Sequence, residues 1–381
     1  MGFVLLATVR TTGLPPALAG GLLAAALTAP HVLGPLSARF LDRASDPRRV
    51  LAAAAILYAA FVATAALTLG AVPIALSIVL VAIAGFCGPL LTGGLSSTLA
   101  SLVAPDERPQ RRAQGWDALT YGIGGTLGPA VVALVASLAD PLVAVVALSG
   151  AAIASAGLTV FLPRLPSARG SIDDGSRSRG VIRALVRVGP LRRATVLTMA
   201  AAVPGGAVAV IAVAFSRQTV GDPAQGGLLV AAFGVGNLIG AVILTVLPLR
   251  GGAERNLELF TLLVAAAFAG CSLATSFVAL MIMLAVAGGL NAPYFAATLA
   301  VRSEFSPPAL RGQTFTAMAG FKTAAGSAGS AAAGMTIGLG APLLFLCGAG
   351  LIFLALAVTH LDRTLRLSRR DASSHAPAGS A

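Results

Sequence analysis

Long apolar runs alternate with short basic ones along this chain. No charged side chain occurs between residues 50 and 105, and comparably sparse stretches separate six clumps of arginine. A membrane-crossing helix needs about 20 mostly apolar residues, so residues 50–105 hold two crossings. Lipid offers no hydrogen bonds to the backbone, which makes the helix the element expected in every such run. Twelve spans follow. They fall before residue 10 and at 17–38, 50–70, 72–103, 113–138 and 142–162. After a basic segment come 194–215, 226–249, 257–276, 277–301, 312–338 and 342–361. The expected class is therefore an all-α integral membrane protein, multi-pass in the lipid bilayer of the cell (inner or plasma) membrane.

The arginines orient it. The clumps occupy residues 39–49, 108–112, 164–193, 250–255, 302–311 and 363–370; of 26 basic residues only Arg10, Arg217 and Lys322 lie elsewhere. Clumps two crossings apart share one side, and basic loops are retained in the cytoplasm. The C-terminus is then cytoplasmic. With a mean hydropathy of +0.90, the net charge of +12 reads as topological retention, since the arginines are spread over loops; no nucleic-acid partner is expected. Cys87, Cys271 and Cys347 each stand alone in an apolar run, which points to packing. No P-loop, metal cluster or nucleophile–base pair is visible, so no ATP, no cofactor and no enzymatic chemistry are expected. No cleavable signal peptide is evident either.

The two halves match in sequence. Gly20-Gly21-Leu22-Leu23 recurs as Gly226-Gly227-Leu228-Leu229. Gly85-Phe86-Cys87-Gly88-Pro89 aligns with Gly289-Leu290-Asn291-Ala292-Pro293, and residues 112–119 align with 311–318. Three collinear matches define parallel six-helix repeats, an architecture of secondary transporters. The expected organisation is a first half (1–162), a flexible cytoplasmic linker (163–193) rich in Ser, Gly and Arg, a second half (194–362) and a cytoplasmic tail (363–381). The same register puts the counterpart of Ala194 ahead of Met1. About half of the first helix is then expected to be missing here, through a start assigned too far downstream or a truncated product.

Gly124-Gly125-Thr126-Leu127-Gly128-Pro129 in the fifth span resembles motif C (G-x-x-x-G-P) of the major facilitator superfamily, and the likeness runs over essentially the whole chain. Gly124 and Gly128 would permit close helix approach, and Pro129 would permit a bend. Asp42, Arg43, Arg48 and Arg49 resemble that family's motif A, whose aspartate acts as a latch when the inner side is closed. Here Ala38 stands at the glycine position and two residues are inserted around Asp46-Pro47. The arginine of the exporters' motif B is absent from the region of Leu90-Leu91-Thr92-Gly93-Gly94. The resemblance implies a 12-helix major facilitator fold working by alternating access, with helices one, four, seven and ten lining the cavity. Motif C implies export against a proton gradient.

Ionisable residues inside spans are expensive enough to be functional candidates. His31 and Lys322 lie at similar depth in helices that adjoin across the halves in this family. They read either as a protonation-sensitive contact or as a packing histidine and a snorkelling lysine. Asp117 reads as a proton carrier or as a salt-bridge partner of Arg111 or Arg112. Thr92, Asn291 and Tyr294 beside Pro89 and Pro293 are substrate-cavity candidates; interhelical hydrogen bonding is the other reading of Asn291 and Tyr294. Few charges at midplane favour neutral or amphipathic, largely apolar small-molecule cargo. The leading expectation is proton-coupled efflux; import of a metabolite, or a non-transporting membrane scaffold, are the alternatives.

Overall fold

A computed structural model describes residues 1–11, 13–42, 44–94, 120, 123–124, 127–162, 174–247, 249–307 and 310–374. The first half contains α1 (Gly2–Arg10), α2 (Pro16–Thr28), α3 (Gly34–Asp42), α4 (Pro47–Thr68), α5 (Ile74–Pro89), α6 (Leu127–Leu138) and α7 (Pro141–Val160). A connecting helix α8 (Asp174–Arg187) precedes α9 (Gly189–Val220), α10 (Gly226–Val246), α11 (Ala253–Cys271), α12 (Phe277–Phe305), α13 (Arg311–Thr336) and α14 (Ala341–Ser374). Among the described residues, eight helical segments are long and apolar enough to cross a membrane. Their outward faces carry large apolar side chains such as Leu57, Leu158, Ile239, Val246 and Leu354, each at least half exposed. A continuous belt of this kind is stable only against lipid.

Local chemistry sets the helix ends. Asp46, Asp140 and Ser276 cap α4, α7 and α12 by accepting backbone N–H bonds from Arg48, Leu142 and Ala279. Gly221 ends α9 at φ +78°, a conformation that costs a residue with a side chain dearly. Two spans expected to be uninterrupted are not. Pro30 has no N–H to donate, and a 3-10 turn at Ala29–Leu33 separates α2 from α3. Beyond Pro89, a π turn occupies Leu90–Gly94.

The segment expected to be a flexible linker holds α8 over its described part. Val181, Ala184 and Leu185 recur at helical spacing and are buried against the second half, so the Ser, Gly and Arg content hid a short amphipathic pattern.

Packing repeats between the halves. In the first, α1 contacts α2 and α7, α2 contacts α5, and α4 contacts α5 and α7. In the second, α9 contacts α10 and α14, α10 contacts α12, and α11 contacts α12 and α14. Each pairing has its counterpart six spans on, as parallel repeats require. The crossings are glycine-based, because lipid-embedded helices gain most from close backbone approach. A β-carbon at Gly236 or Gly288 would run into the carbonyl of Ala285 or Phe233 between α10 and α12; one at Gly206 would meet the Gly326 carbonyl between α9 and α13.

The basic end of the second half is tied by charge. The Arg193 guanidinium donates to Glu254 at 2.7 Å and to Asp362 at 3.1 Å, while Arg363 reaches Glu258 at 2.8 Å. Those arginines join α9, α11 and α14. Retention in a loop is therefore not their whole role.

Candidate functional site

The halves meet through α2 and α13, α1 and α9, and α6 and α10. At the end of the bundle away from the basic loops, the first of these seams is very tight. A β-carbon on Gly334 would lie 2.6 Å from the Ala17 carbonyl oxygen and 3.2 Å from Gly21 Cα. Halfway along, the Thr28 and Ser327 hydroxyls are 2.6 Å apart and share one hydrogen bond across the halves. A cavity of about 450 Å³ opens at the same end, lined by Val4, Thr8, Pro16, Val210, Arg217 and Ile337 among others.

Among the described residues, no atom lies within 4 Å of a β-carbon built on Gly124 or Gly128. Gly227 of α10 closely approaches α6, where a β-carbon would meet Ala133 and lie 2.9 Å from the Pro129 carbonyl oxygen. Pro129 thus sits in the seam between the halves.

The motif A segment forms a clamp built on Asp46. Arg48 donates to both Asp46 carboxylate oxygens, at 3.0 and 2.9 Å, and to the Leu162 carbonyl at 2.6 Å, fastening the start of α4 to the end of α7. The Arg48 bonds hold the Asp46 carboxyl below the usual carboxylate range. The clamp is therefore complete at neutral pH and loosens only as pH falls through that lowered value. Arg49 is exposed, 3.8 Å from Asp46. Asp42 ends α3; Arg43 lies outside the described residues, as does Asp117.

The intramembrane candidates separate. His31 lies against Gly88 of α5, where its imidazole fills the place a β-carbon would take. Lys322 places its ammonium 4.5 Å from the centre of the Phe295 ring on α12. The backbones adjoin, Gly320 lying beside Val32, but the two side chains face different neighbours. Asn291 donates to Asn237 Oδ1 at 3.0 Å, joining α12 to α10. Tyr294 is buried and donates to the Leu197 carbonyl at 3.3 Å, joining α12 to α9. The Thr92 hydroxyl donates to the Gly88 carbonyl at 2.9 Å within the π turn.

One residue escaped the sequence reading. Arg302 belongs to a loop clump by position, yet α12 continues to Phe305 and leaves it only 3% exposed. Its Nε and Nη2 are buried without a hydrogen-bond partner, and its guanidinium carbon lies 6.0 Å from the centre of the Phe315 ring on α13. Depth was the missing information; a helix running past residue 301 would have exposed it.

The profile of the Major Facilitator Superfamily matches residues 1–221, more than half of the chain. The chain belongs to that superfamily. Solved major facilitator structures agree in fold. The nucleoside transporter NupG is 13% identical with a TM-score of 0.71, covering 95% of this chain and 94% of that one. A bacterial homologue of the human lysosomal transporter Spinster, inward-facing and occupied, is 13% identical with a TM-score of 0.69, covering 95% and 93%. The human organic anion transporter MFSD10 is 17% identical with a TM-score of 0.63, covering 89% and 83%. No curated protein matches at the sequence level. Major facilitator membership makes this a membrane transporter and not an enzyme.

Proposed function

We propose that this major facilitator protein is a secondary exporter of small, amphipathic, largely apolar molecules, exchanged for protons across the cell membrane. Its basic end, with the C-terminus, is cytoplasmic by the retention rule. Residues 1–162 and 194–362 are its two rocking halves, joined by the cytoplasmic segment 163–193. The observation that carries alternating access is the inter-half seam, closed by Gly21, Gly334 and the Thr28–Ser327 bond while the contacts within each half repeat. Export rests on the Gly124–Pro129 resemblance, with Pro129 at the α6–α10 contact between the halves. His31, Lys322 and Asp117 are the ionisable groups available for coupling, and Thr92 is the cavity candidate whose side chain is exposed.

Proteoliposomes test this directly. With an imposed pH gradient, tetraphenylphosphonium, 4-phenylbutyrate and uridine are offered in turn. The proposal expects accumulation of an amphipathic probe only in vesicles whose interior is acidic, and collapse of that accumulation by a protonophore. Uptake that follows inward proton flow would mark an importer. Indifference to every probe would sink the transport reading.

A further inference from the structure

α12 and α13 run antiparallel and make few direct contacts, leaving a seam between them. Each contributes one aromatic ring and one cation, seven residues apart: Phe295 and Arg302 on α12, Phe315 and Lys322 on α13. The pairs cross. Lys322 lies over Phe295 at 4.5 Å, and Arg302 over Phe315 at 6.0 Å, forming two rungs about two helical turns apart. The Arg302 rung lies towards the basic end and the Lys322 rung deeper in the bundle.

Among the described residues no carboxylate pairs with Arg302 or Lys322, and neither side chain makes a hydrogen bond to one. The Ser306 hydroxyl, one turn beyond Arg302, is also buried and unpartnered. An aromatic face accommodates a cation but takes none of its N–H bonds. A buried guanidinium in this condition is far from its lowest free energy, and a carboxylate or phosphate would accept two parallel N–H bonds from it.

We propose that the α12–α13 seam is a binding site for an amphipathic organic anion. Its carboxylate or phosphate is taken first by Arg302, with Lys322 as the deeper contact, and its apolar body lies on Phe315 and Phe295. This sharpens the transport reading by assigning the cargo's charge, and it rests on that reading for its physiological role. Binding itself is measured independently of transport.

The test uses purified full-length protein in detergent. Binding is measured for benzoate, 4-phenylbutyrate and phenyl phosphate, and for 4-phenylbutyramide as a neutral isostere. The proposal expects at least one anion to bind, the amide to bind at least about tenfold more weakly, and Arg302→Gln to abolish that difference while Arg302→Lys retains part of it. Without ligand, Arg302→Gln is expected to melt at or above the wild-type temperature, because it removes an unpaired buried charge. A clear fall in melting temperature would mean that Arg302 has a counter-charge within the chain, and would overturn the site. Equal binding of acid and amide, or no binding by any anion, would overturn it too. Anion binding without vesicle uptake would leave the site standing and remove the transport reading. Arg302-independent uptake of uridine or tetraphenylphosphonium, with no anion bound, would do the reverse.

Discussion

Replacing Gly236 by leucine is expected to unfold the second half or cripple its stability. Gly236 lies where α10 and α12 touch backbone to backbone, and any side chain would enter the Ala285 carbonyl. Four extra carbons cannot be absorbed there, since Gly288 faces Phe233 across the same crossing. Separating the helices also stretches the 3.0 Å Asn291–Asn237 bond one residue along. Overpacking costs about 2 kcal/mol, and a membrane-embedded polar bond adds about 0.6 kcal/mol. Gly150→Leu is the control, because a β-carbon there meets nothing within 4 Å among the described residues. Melting in detergent should drop sharply for Gly236→Leu and hardly at all for Gly150→Leu. Equal melting temperatures would show that the α10–α12 contact is not as close as described.

Much of this architecture is legible in the spacing of charge. The uncharged stretch at residues 50–105 holds α5 and all but the first three residues of α4 (Pro47–Thr68), and the internal matches anticipate the parallel repeat seen in the helix pairings. Side-chain partners were not legible, for a physical reason: charge clumps report proximity to a loop but not depth or rotation. Arg302 looks like a loop arginine in sequence, yet four more helical residues after 301 bury it. Arg193, Glu254 and Asp362 come from three helices, so no local pattern links them. Lys322 and His31 were comparable in depth, but helix rotation sends one to Phe295 and the other to Gly88. Glycine crossings are faint as well, because Gly and Ala give no hydrophobic stripe. The 3-10 and π turns were foreshadowed by Pro30 and Pro89, which a hydropathy window averages away.

The second large effect is expected at Gly334. A leucine there would press on the Ala17 carbonyl and on Leu18 and Gly21. Unlike the α10–α12 crossing, this one joins the two halves, so they can part without breaking either. Gly334→Leu should therefore open the end away from the basic loops while melting close to wild type. Val210, 1% exposed beside the 450 Å³ cavity, reports the opening. With Cys87, Cys271 and Cys347 replaced, Val210→Cys should react with an impermeant thiol reagent about tenfold faster in the Gly334→Leu protein. Tenfold corresponds to about 1.4 kcal/mol of shift between closed and open states. An unchanged rate would show that the seam does not gate this cavity.

Rocking of one half against the other is the central claim, and the Thr28–Ser327 contact offers the most direct measurement. Their hydroxyls are 2.6 Å apart in the closed seam, so Thr28→Cys and Ser327→Cys should form a disulfide under mild oxidation. In the same cysteine-free background, net vesicle uptake of the probe carried by the reduced protein is followed before oxidation, after it, and after reduction. Alternating access predicts that uptake stops when the bond forms and returns when it is reduced. Uptake at the full rate by the quantitatively cross-linked protein would contradict it.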